Sequence, residues 1–170
     1  MGLSGLPTIL SPDLLVTLAR MGHGDTICFA DANFPSESLH ARNGGGSSTT
    51  TKYPVVIRAD GLAIAPLLRA VATVFPLDTY TEYPVKMMAA VPGDSLDTAI
   101  EQRFRAAIET LQPGTFKSER VERFKFYDLA SEAVAVVATG ETASYGNIIL
   151  TKGVLRVACD DAGIEVFRMP

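Results

Sequence analysis

The stretch from Met21 to Asp31 constrains the chain most strongly, because a helix end, a histidine and an apolar strand follow one another there. Gly22 suits a helix end, where glycine enters the left-handed conformation at little steric cost. The run TICFA at Thr26–Ala30 is short, apolar and rich in strand formers, which predicts a buried strand that ends at Asp31. We therefore expect His23 in a rigid turn, with the carboxylate of Asp31 close to it.

His23 and Asp31 also have ordinary structural interpretations. His23 can donate a hydrogen bond that caps the helix C-terminus, and Asp31 can open the turn before Phe34 and Pro35. Histidine and aspartate are common at such positions. This stretch alone therefore leaves a structural and a catalytic role equally open.

Chain length and composition predict a single domain over residues 1–170. Of the 170 residues 47% are hydrophobic, which is enough to bury a substantial core. The net charge is −4 and no long basic run occurs, which argues against a nucleic acid partner. No apolar run reaches the length of a bilayer span, and the N-terminus lacks the pattern of a signal peptide. We expect a soluble, cytoplasmic protein without membrane contact.

Helices and short apolar strands alternate along the chain. Ser11, Pro12 and Asp13 are typical of a helix start, and Ala133–Thr139 is the clearest buried strand. Further strands are predicted at residues 54–57, 85–91 and 148–150, and further helices at 63–75, 96–111 and 124–130. This alternation predicts an α/β fold, a three-layer α/β/α sandwich around a mostly parallel or mixed sheet. Residues 36–52 have little apolar content and are predicted to be a surface loop, flexible over 42–52.

Polar residues that follow strands, or lie within them, are the candidates for chemistry. They are His23, Asp31, Arg123, Tyr145 and Asn147, together with Asp60 in the turn at residues 58–61. None is a serine or cysteine beside a base, so nucleophilic catalysis has no support in the sequence. A general acid/base together with hydrogen-bond donors and acceptors suits a neutral, polyhydroxylated ligand.

Three of these candidates have structural alternatives of their own. Arg123 falls on the inward face of a predicted strand and can pair with Glu122 or Glu141. Tyr145 can pack within a loop, and Asn147 can occupy a left-handed turn. By themselves the residues favour these structural alternatives over a ligand site.

Metal and cofactor sites have little support. The chain holds two cysteines, Cys28 and Cys159, and two histidines, His23 and His40, without the spacing of a zinc site. Its glycine-rich stretches match neither a phosphate loop nor a dinucleotide fingerprint. We expect no metal and no cofactor.

Seven short motifs follow one another between about residues 9 and 154. The motifs are MGHGD at 21–25, ADANFP at 30–35, RADG at 58–61, MMAAV at 87–91, RFKFY at 123–127, TGE at 139–141 and YGNIIL at 145–150. As a set they resemble the fucose mutarotase branch of the ribose pyranase / fucose mutarotase family. The chain departs from that branch at Asn33, which replaces a usual histidine, in an inserted loop at 42–52 and in a C-terminal extension at 158–170.

The resemblance implies a metal-free isomerase that interconverts the anomers of a free monosaccharide such as L-fucose. It implies His23 as the catalytic acid/base, which fits a side chain whose ordinary pKa of about 6.5 allows proton transfer at neutral pH. It also implies ring-shaped homo-oligomers, often decamers, with sites at subunit boundaries. The implied substrate contacts are Asp31, Arg123, Tyr145, Gly146 and Asn147.

Two alternatives to this function remain open. A D-ribose pyranase would convert pyranose and furanose forms with similar residues. A sugar-binding protein would use the same polar groups without catalysis. The resemblance favours the mutarotase over both alternatives, although the sequence does not give the preferred sugar.

Overall fold

A mixed β-sheet forms the centre of the protein in the computed structural model, which describes residues 3–42, 55–109, 116–155, 158–159 and 165–166. Its strands are β1 (Thr26–Ala30), β2 (Val55–Ala59), β3 (Val85–Met88), β4 (Ser118–Val121), β5 (Ala135–Thr139) and β6 (Ile148–Thr151). They lie in the order β2-β5-β1-β6-β3-β4, and β6 runs antiparallel to both of its neighbours while the other adjacent pairs are parallel. A separate antiparallel pair is formed by β7 (Ala158–Cys159) and β8 (Glu165–Val166).

Helices cover both faces of the sheet, and an apolar core lies under each layer. The helices are α1 (Pro12–Arg20), α2 (Ser36–Arg42), α3 (Ile64–Val71), α4 (Thr98–Glu109) and α5 (Arg123–Glu132). Because side chains alternate along a strand, Ile27 packs with α1, α3 and α4, whereas its neighbour Cys28 packs with α2 and α5. This arrangement confirms the predicted three-layer α/β/α sandwich. None of the helices in the described ranges is long and apolar enough to cross a membrane.

The strand directions bring separate loops together at two opposite edges of the sheet. One edge, called the carboxyl edge, holds the residues that follow β1, β4 and β5 and those that precede β6. They are Asp31, Arg123, residues 139–141 and residues 145–147. The other edge, called the amino edge, holds residues 22–25 before β1, 76–81 before β3 and 151–153 at the end of β6.

Helix α1 ends earlier than predicted and without a left-handed glycine. The chain leaves it at Met21, which is extended (φ −68°, ψ 137°) and buries its side chain. The positive φ of 85° occurs at Gly24, so the predicted left-handed cap at Gly22 is wrong. The buried Lys152 explains why, since its Nζ donates to the carbonyl oxygens of Leu18 and Met21 at 2.8 and 2.7 Å. A cation at the helix C-terminus replaces the glycine cap.

The predicted surface loop begins later than expected, because Ser36–Arg42 forms helix α2. Glu37 lies in its first turn, where a negative charge complements the helix dipole. Leu39 is buried in the core shared with α5, and this single anchor was too weak a signal for the sequence to reveal. Residues 43–54 lie outside the described part of the chain, as does most of the predicted extension at 158–170.

Candidate active site

His23 lies at the amino edge and is paired with an aspartate that the sequence did not single out. Its Nε2 is 3.1 Å from Oδ1 of Asp78. The histidine side chain is 46% exposed, whereas that of Asp78 is only 5% exposed. The ring of Tyr80 lies beside the imidazole, with the centroids 5.3 Å apart. The imidazole of His23 is thus accessible to a ligand, while its contacts with Asp78 and Tyr80 fix its orientation.

Asp78 is surrounded by hydrogen-bond donors. The backbone N–H of Tyr80 donates to its Oδ1 at 3.0 Å, and the N–H of Thr81 donates to its Oδ2 at 3.1 Å. Burial opposes its ionisation, but the hydrogen bonds from Tyr80, His23 and Thr81 outweigh it and hold the pKa of Asp78 below its ordinary value. Asp78 is therefore a carboxylate at neutral pH. Its position in a polar turn gave no sequence signal that distinguished it from an ordinary turn aspartate.

The turn that carries His23 is fixed by backbone contacts with the end of β6. Gly24 N–H donates to the carbonyl oxygen of Lys152 at 2.8 Å, and Lys152 N–H donates to that of Asp25 at 2.8 Å. Within the turn, Gly22 N–H donates to Oδ2 of Asp25 at 2.7 Å. The expectation that His23 occupies a rigid turn agrees with these contacts.

The segment that carries Asp78 is attached to the same strand end. Asp78 N–H donates to the carbonyl oxygen of Thr151 at 3.0 Å, and Gly153 N–H donates to that of Pro76 at 2.8 Å. A Cβ at Gly153 would lie 2.3 Å from the carbonyl oxygen of Leu77, so only glycine allows this approach. The end of β6 therefore positions the histidine and its carboxylate together.

Asp31 and Asn147 form a buried pair at the carboxyl edge. Asp31 N–H donates to Oδ1 of Asn147 at 2.8 Å, and Nδ2 of Asn147 donates to Oδ2 of Asp31 at 2.7 Å. Asn33 N–H donates to Oδ1 of Asp31 at 2.9 Å. Burial raises the pKa of Asp31 more than these hydrogen bonds lower it, and the nearby Glu141 raises it further. Asn33, Asn147 and the backbone of Phe34 thus engage three of the about four acceptor positions of the carboxylate, which leaves one for a ligand hydroxyl.

The raised pKa of Asp31 predicts a definite pH dependence of stability. As the pH rises, the unfolded chain loses this proton near the ordinary pKa of 3.8, whereas the folded chain keeps it to a higher pH. The free energy of unfolding therefore decreases as the pH rises from 3.8 through the folded-state pKa. The melting temperature of the wild type minus that of Asp31→Asn should therefore decrease between about pH 3 and 7. The same difference for Asp78→Asn should increase, because the pKa of Asp78 is lowered and its contribution is lost as the pH falls. Parallel slopes for the two variants would contradict the opposite shifts.

A polar cleft of about 270 Å³ opens beside Asp31. Its lining includes Ser36, Arg58, Asp60 and Thr139. Ser36 Oγ is buried and has no hydrogen-bond partner among the described residues, whereas Arg58 is bonded to Asp60. The carboxylate of Asp31, a predicted substrate contact, therefore lies beside a cleft that a hydroxylated ligand could enter.

Arg123 is the first residue of α5, so its predicted place on the inward face of a strand is wrong. Strand β4 ends at Val121, and Glu122 caps the helix by accepting from the N–H groups of Phe124 and Lys125. No ion pair joins Arg123 to Glu122 or Glu141 within the described part of the chain. Instead its guanidinium carbon lies 4.8 Å from the centroid of the Phe124 ring. Its Nε is buried without a partner among the described residues, which leaves a donor for a ligand.

Tyr145, Gly146 and Asn147 form a strained loop that approaches Arg123. Tyr145, not Asn147, takes the left-handed conformation, with φ 60°. Its hydroxyl donates to Asp94, and this hydrogen bond, together with burial, raises the pKa of Tyr145, while Arg123 nearby lowers it. A Cβ at Gly146 would lie 2.8 Å from the carbonyl oxygen of Ala143, so the loop requires glycine there.

The structure brings most of the sequence candidates together but separates the histidine from them. Asp31, Arg123, Tyr145 and Asn147 share the carboxyl edge. His23 lies at the other end of β1, whose five residues span about 16 Å. The expectation that His23 and Asp31 lie close together in one chain is therefore wrong, because the strand between them keeps them apart. No cluster of three or more metal-binding side chains occurs in the described ranges.

Fold and site together define a small α/β sandwich protein with a histidine–aspartate pair at one edge of the sheet and a cluster of polar side chains at the other. The chain belongs to the RbsD / FucU transport protein family, which it matches over residues 4–155. This confirms the resemblance found in the sequence.

Proteins similar to this chain cover almost all of its length. The L-fucose mutarotase of Glaesserella parasuis serovar 5 (strain SH0165) is 51% identical over 158 residues, which is 93% of this chain and 99% of that protein. The L-fucose mutarotase of Actinobacillus pleuropneumoniae serotype 5b (strain L20) is 49% identical over 155 residues, 91% of this chain and 99% of that protein. The crystal structure of the fucose mutarotase from Streptococcus pneumoniae in complex with L-fucose superposes with a TM-score of 0.78 at 39% identity, covering 91% of this chain and 100% of that chain.

Proposed function

We propose that this protein is an L-fucose mutarotase, an isomerase that interconverts the α and β anomers of the free sugar. The observation that carries the proposal is the similarity of nearly the whole chain to proteins of that name, at 49–51% identity. A similar protein of known structure was solved with L-fucose bound. The site described above supplies groups that this reaction requires.

Mutarotation opens and recloses the sugar ring at C1, and the protons that must move are those on the two oxygens attached to that carbon. The hydroxyl proton on O1 is removed while the ring oxygen is protonated, so the C1–ring oxygen bond breaks and the C1 carbonyl forms. After rotation about C1–C2 the ring closes on the other face, and the proton movements reverse. Because both oxygens are attached to C1, one histidine can take the proton from O1 and deliver it to the ring oxygen. The side chain of His23 is half-exposed, so a sugar can reach it, and its contact with the buried Asp78 holds it in one orientation, as proton transfer requires.

The carboxyl edge supplies the contacts that would hold the sugar. Asp31 accepts hydrogen bonds, and Arg123 Nε offers a donor that has no other partner in the described part of the chain. Tyr145 and Asn147 add polar groups on the same loop. These groups can recognise sugar hydroxyls without taking part in proton transfer.

His23 and the sugar contacts come from different subunits in this proposal. In one chain they lie at opposite ends of β1, too far apart for a single monosaccharide to touch both. A neighbouring copy that turns its carboxyl edge toward His23 would complete the site. Assembly of the chain into a homo-oligomer, a decameric ring by family resemblance, would then be a condition for activity.

Magnetisation-exchange NMR on equilibrated sugars tests the function. Catalytic amounts of the protein should accelerate exchange between the α and β anomer signals of L-fucose above the uncatalysed rate. A selective effect on the pyranose and furanose signals of D-ribose would instead identify a ribose pyranase. Binding of L-fucose without faster exchange would identify a sugar-binding protein, and either result would overturn the proposal.

A further inference from the structure

We propose that Asp78 is a positioning residue that fixes the tautomer of His23. In this arrangement Nε2 carries a proton directed at Asp78, and Nδ1 is the atom that exchanges protons with the sugar. The assignment of Nε2 and Nδ1 concerns the protein alone, whereas the effect on the sugar rests on the proposed function.

The surroundings of Asp78 determine the direction of the hydrogen bond. Its Oδ1 already accepts from the N–H of Tyr80 and its Oδ2 from that of Thr81. A carboxylate has no proton to donate, so the contact of 3.1 Å with His23 requires a proton on Nε2. The lowered pKa of Asp78 keeps the group in this acceptor form at neutral pH.

The remaining nitrogen is available for chemistry. His23 Nδ1 has no hydrogen-bond partner among the described residues, and the ring is half-exposed. Tyr80 covers part of the imidazole, so the ring is oriented by a hydrogen bond on one side and an aromatic contact on another. In the neutral tautomer set by Asp78, Nδ1 carries a lone pair and can accept a proton.

The other charged groups near the turn do not compete for the imidazole. Lys152 directs its Nζ at the carbonyl oxygens of Leu18 and Met21, and Asp25 directs Oδ2 at the N–H of Gly22. Asp78 is thus the carboxylate bonded to His23 within the described ranges. Its negative charge also stabilises the imidazolium that forms when Nδ1 takes the proton from O1, before that proton passes to the ring oxygen.

Nitrogen-15 NMR of the imidazole rings tests the assignment without any sugar. The chain has two histidines, so a His23→Ala spectrum assigns the signals and leaves His40 as an internal reference. In the wild type His23 should be in the Nε2–H tautomer. In Asp78→Asn the Nδ1–H form should become populated, because an amide can donate to Nε2 as well as accept from it. The catalysed exchange rate should fall by up to about a hundredfold, the cost of misplacing a catalytic group.

Asp97→Asn is the matched control. Asp97 also accepts a backbone N–H two residues further on, from Ala99 at 2.9 Å, and also accepts from a basic side chain, that of Arg103, but it does not contact His23. This variant should leave both the tautomer and the exchange rate unchanged.

Each result decides for or against the positioning role. A wild-type His23 in the Nδ1–H form would overturn it even if Asp78→Asn fails to fold. A lower exchange rate with an unchanged tautomer would mean that Asp78 only supports the turn, which would also overturn it. If the wild type exchanges no sugar at all, the proposed function fails, and the tautomer measurement still stands as a separate test.

Discussion

Replacing His23 with alanine should reduce catalysed anomer exchange by about a hundred- to ten-thousand-fold, the usual cost of losing a general acid/base. The fold should survive, because the side chain is 46% exposed and contributes little packing. With His23→Ala present, the anomers should exchange at close to the uncatalysed rate, whatever the concentration of the variant. Magnetisation-exchange NMR measures the rate, and a melting temperature close to that of the wild type establishes that the variant is folded.

His40→Ala is the matched control for this experiment, since His40 is the other histidine of the chain and lies in α2. Its exchange rate should equal that of the wild type. Near-normal exchange in a folded His23→Ala protein would remove the histidine from the mechanism. A loss in both variants would point to a shared structural cause.

Mixing two inactive variants should restore activity if the site is built from two subunits. His23→Ala lacks the acid/base, and Arg123→Ala lacks a sugar contact at the other edge of the sheet. After dissociation and reassociation of equal amounts, about a quarter of the boundaries would pair an intact histidine with an intact arginine. Exchange should recover toward that fraction of the wild-type rate. Neither variant alone should show any recovery after the same treatment.

The control for mixing is a double variant with both substitutions in every chain. Mixed with either single variant, it cannot supply both the intact histidine and the intact arginine at one boundary, so exchange should stay at the uncatalysed rate. Native mass measurements must show that the active mixture contains both chains. If such mixed assemblies remain inactive, the site lies within one subunit, and the separation of His23 from the carboxyl edge would require another explanation.

Local signals in the sequence were sufficient to predict the main helices and strands. Ser11 does cap α1, with its side chain accepting from Leu14 N–H, and the apolar run at Thr26–Ala30 is the buried strand β1. Both predictions rely on residues that are neighbours in the chain. The same holds for β5, whose core residues form one continuous apolar run.

Features that depend on distant residues were missed. Lys152 caps α1 from the end of β6, which made a glycine cap unnecessary, and Leu39 turns a polar stretch into helix α2 by packing on α5. Asp78 meets His23 across 55 positions of sequence, and no local pattern marks that contact. The distance between His23 and Asp31 was within reach of sequence reasoning, because a strand of five residues must separate what lies at its two ends.

The central place of β6 has a consequence for how the chain folds during synthesis. Strands β2, β5 and β1 form one group and β3 and β4 another, and within the sheet only β6 lies between the two groups. Its residues, Ile148–Thr151, are made after those of every other strand of that sheet. Until they leave the ribosome, β1 and β3 each present an unpaired edge, the feature that makes nascent chains prone to aggregate. Closure of the sheet then depends on one late segment that joins β1 and β3 at the same time, and such long-range pairing is intrinsically slow.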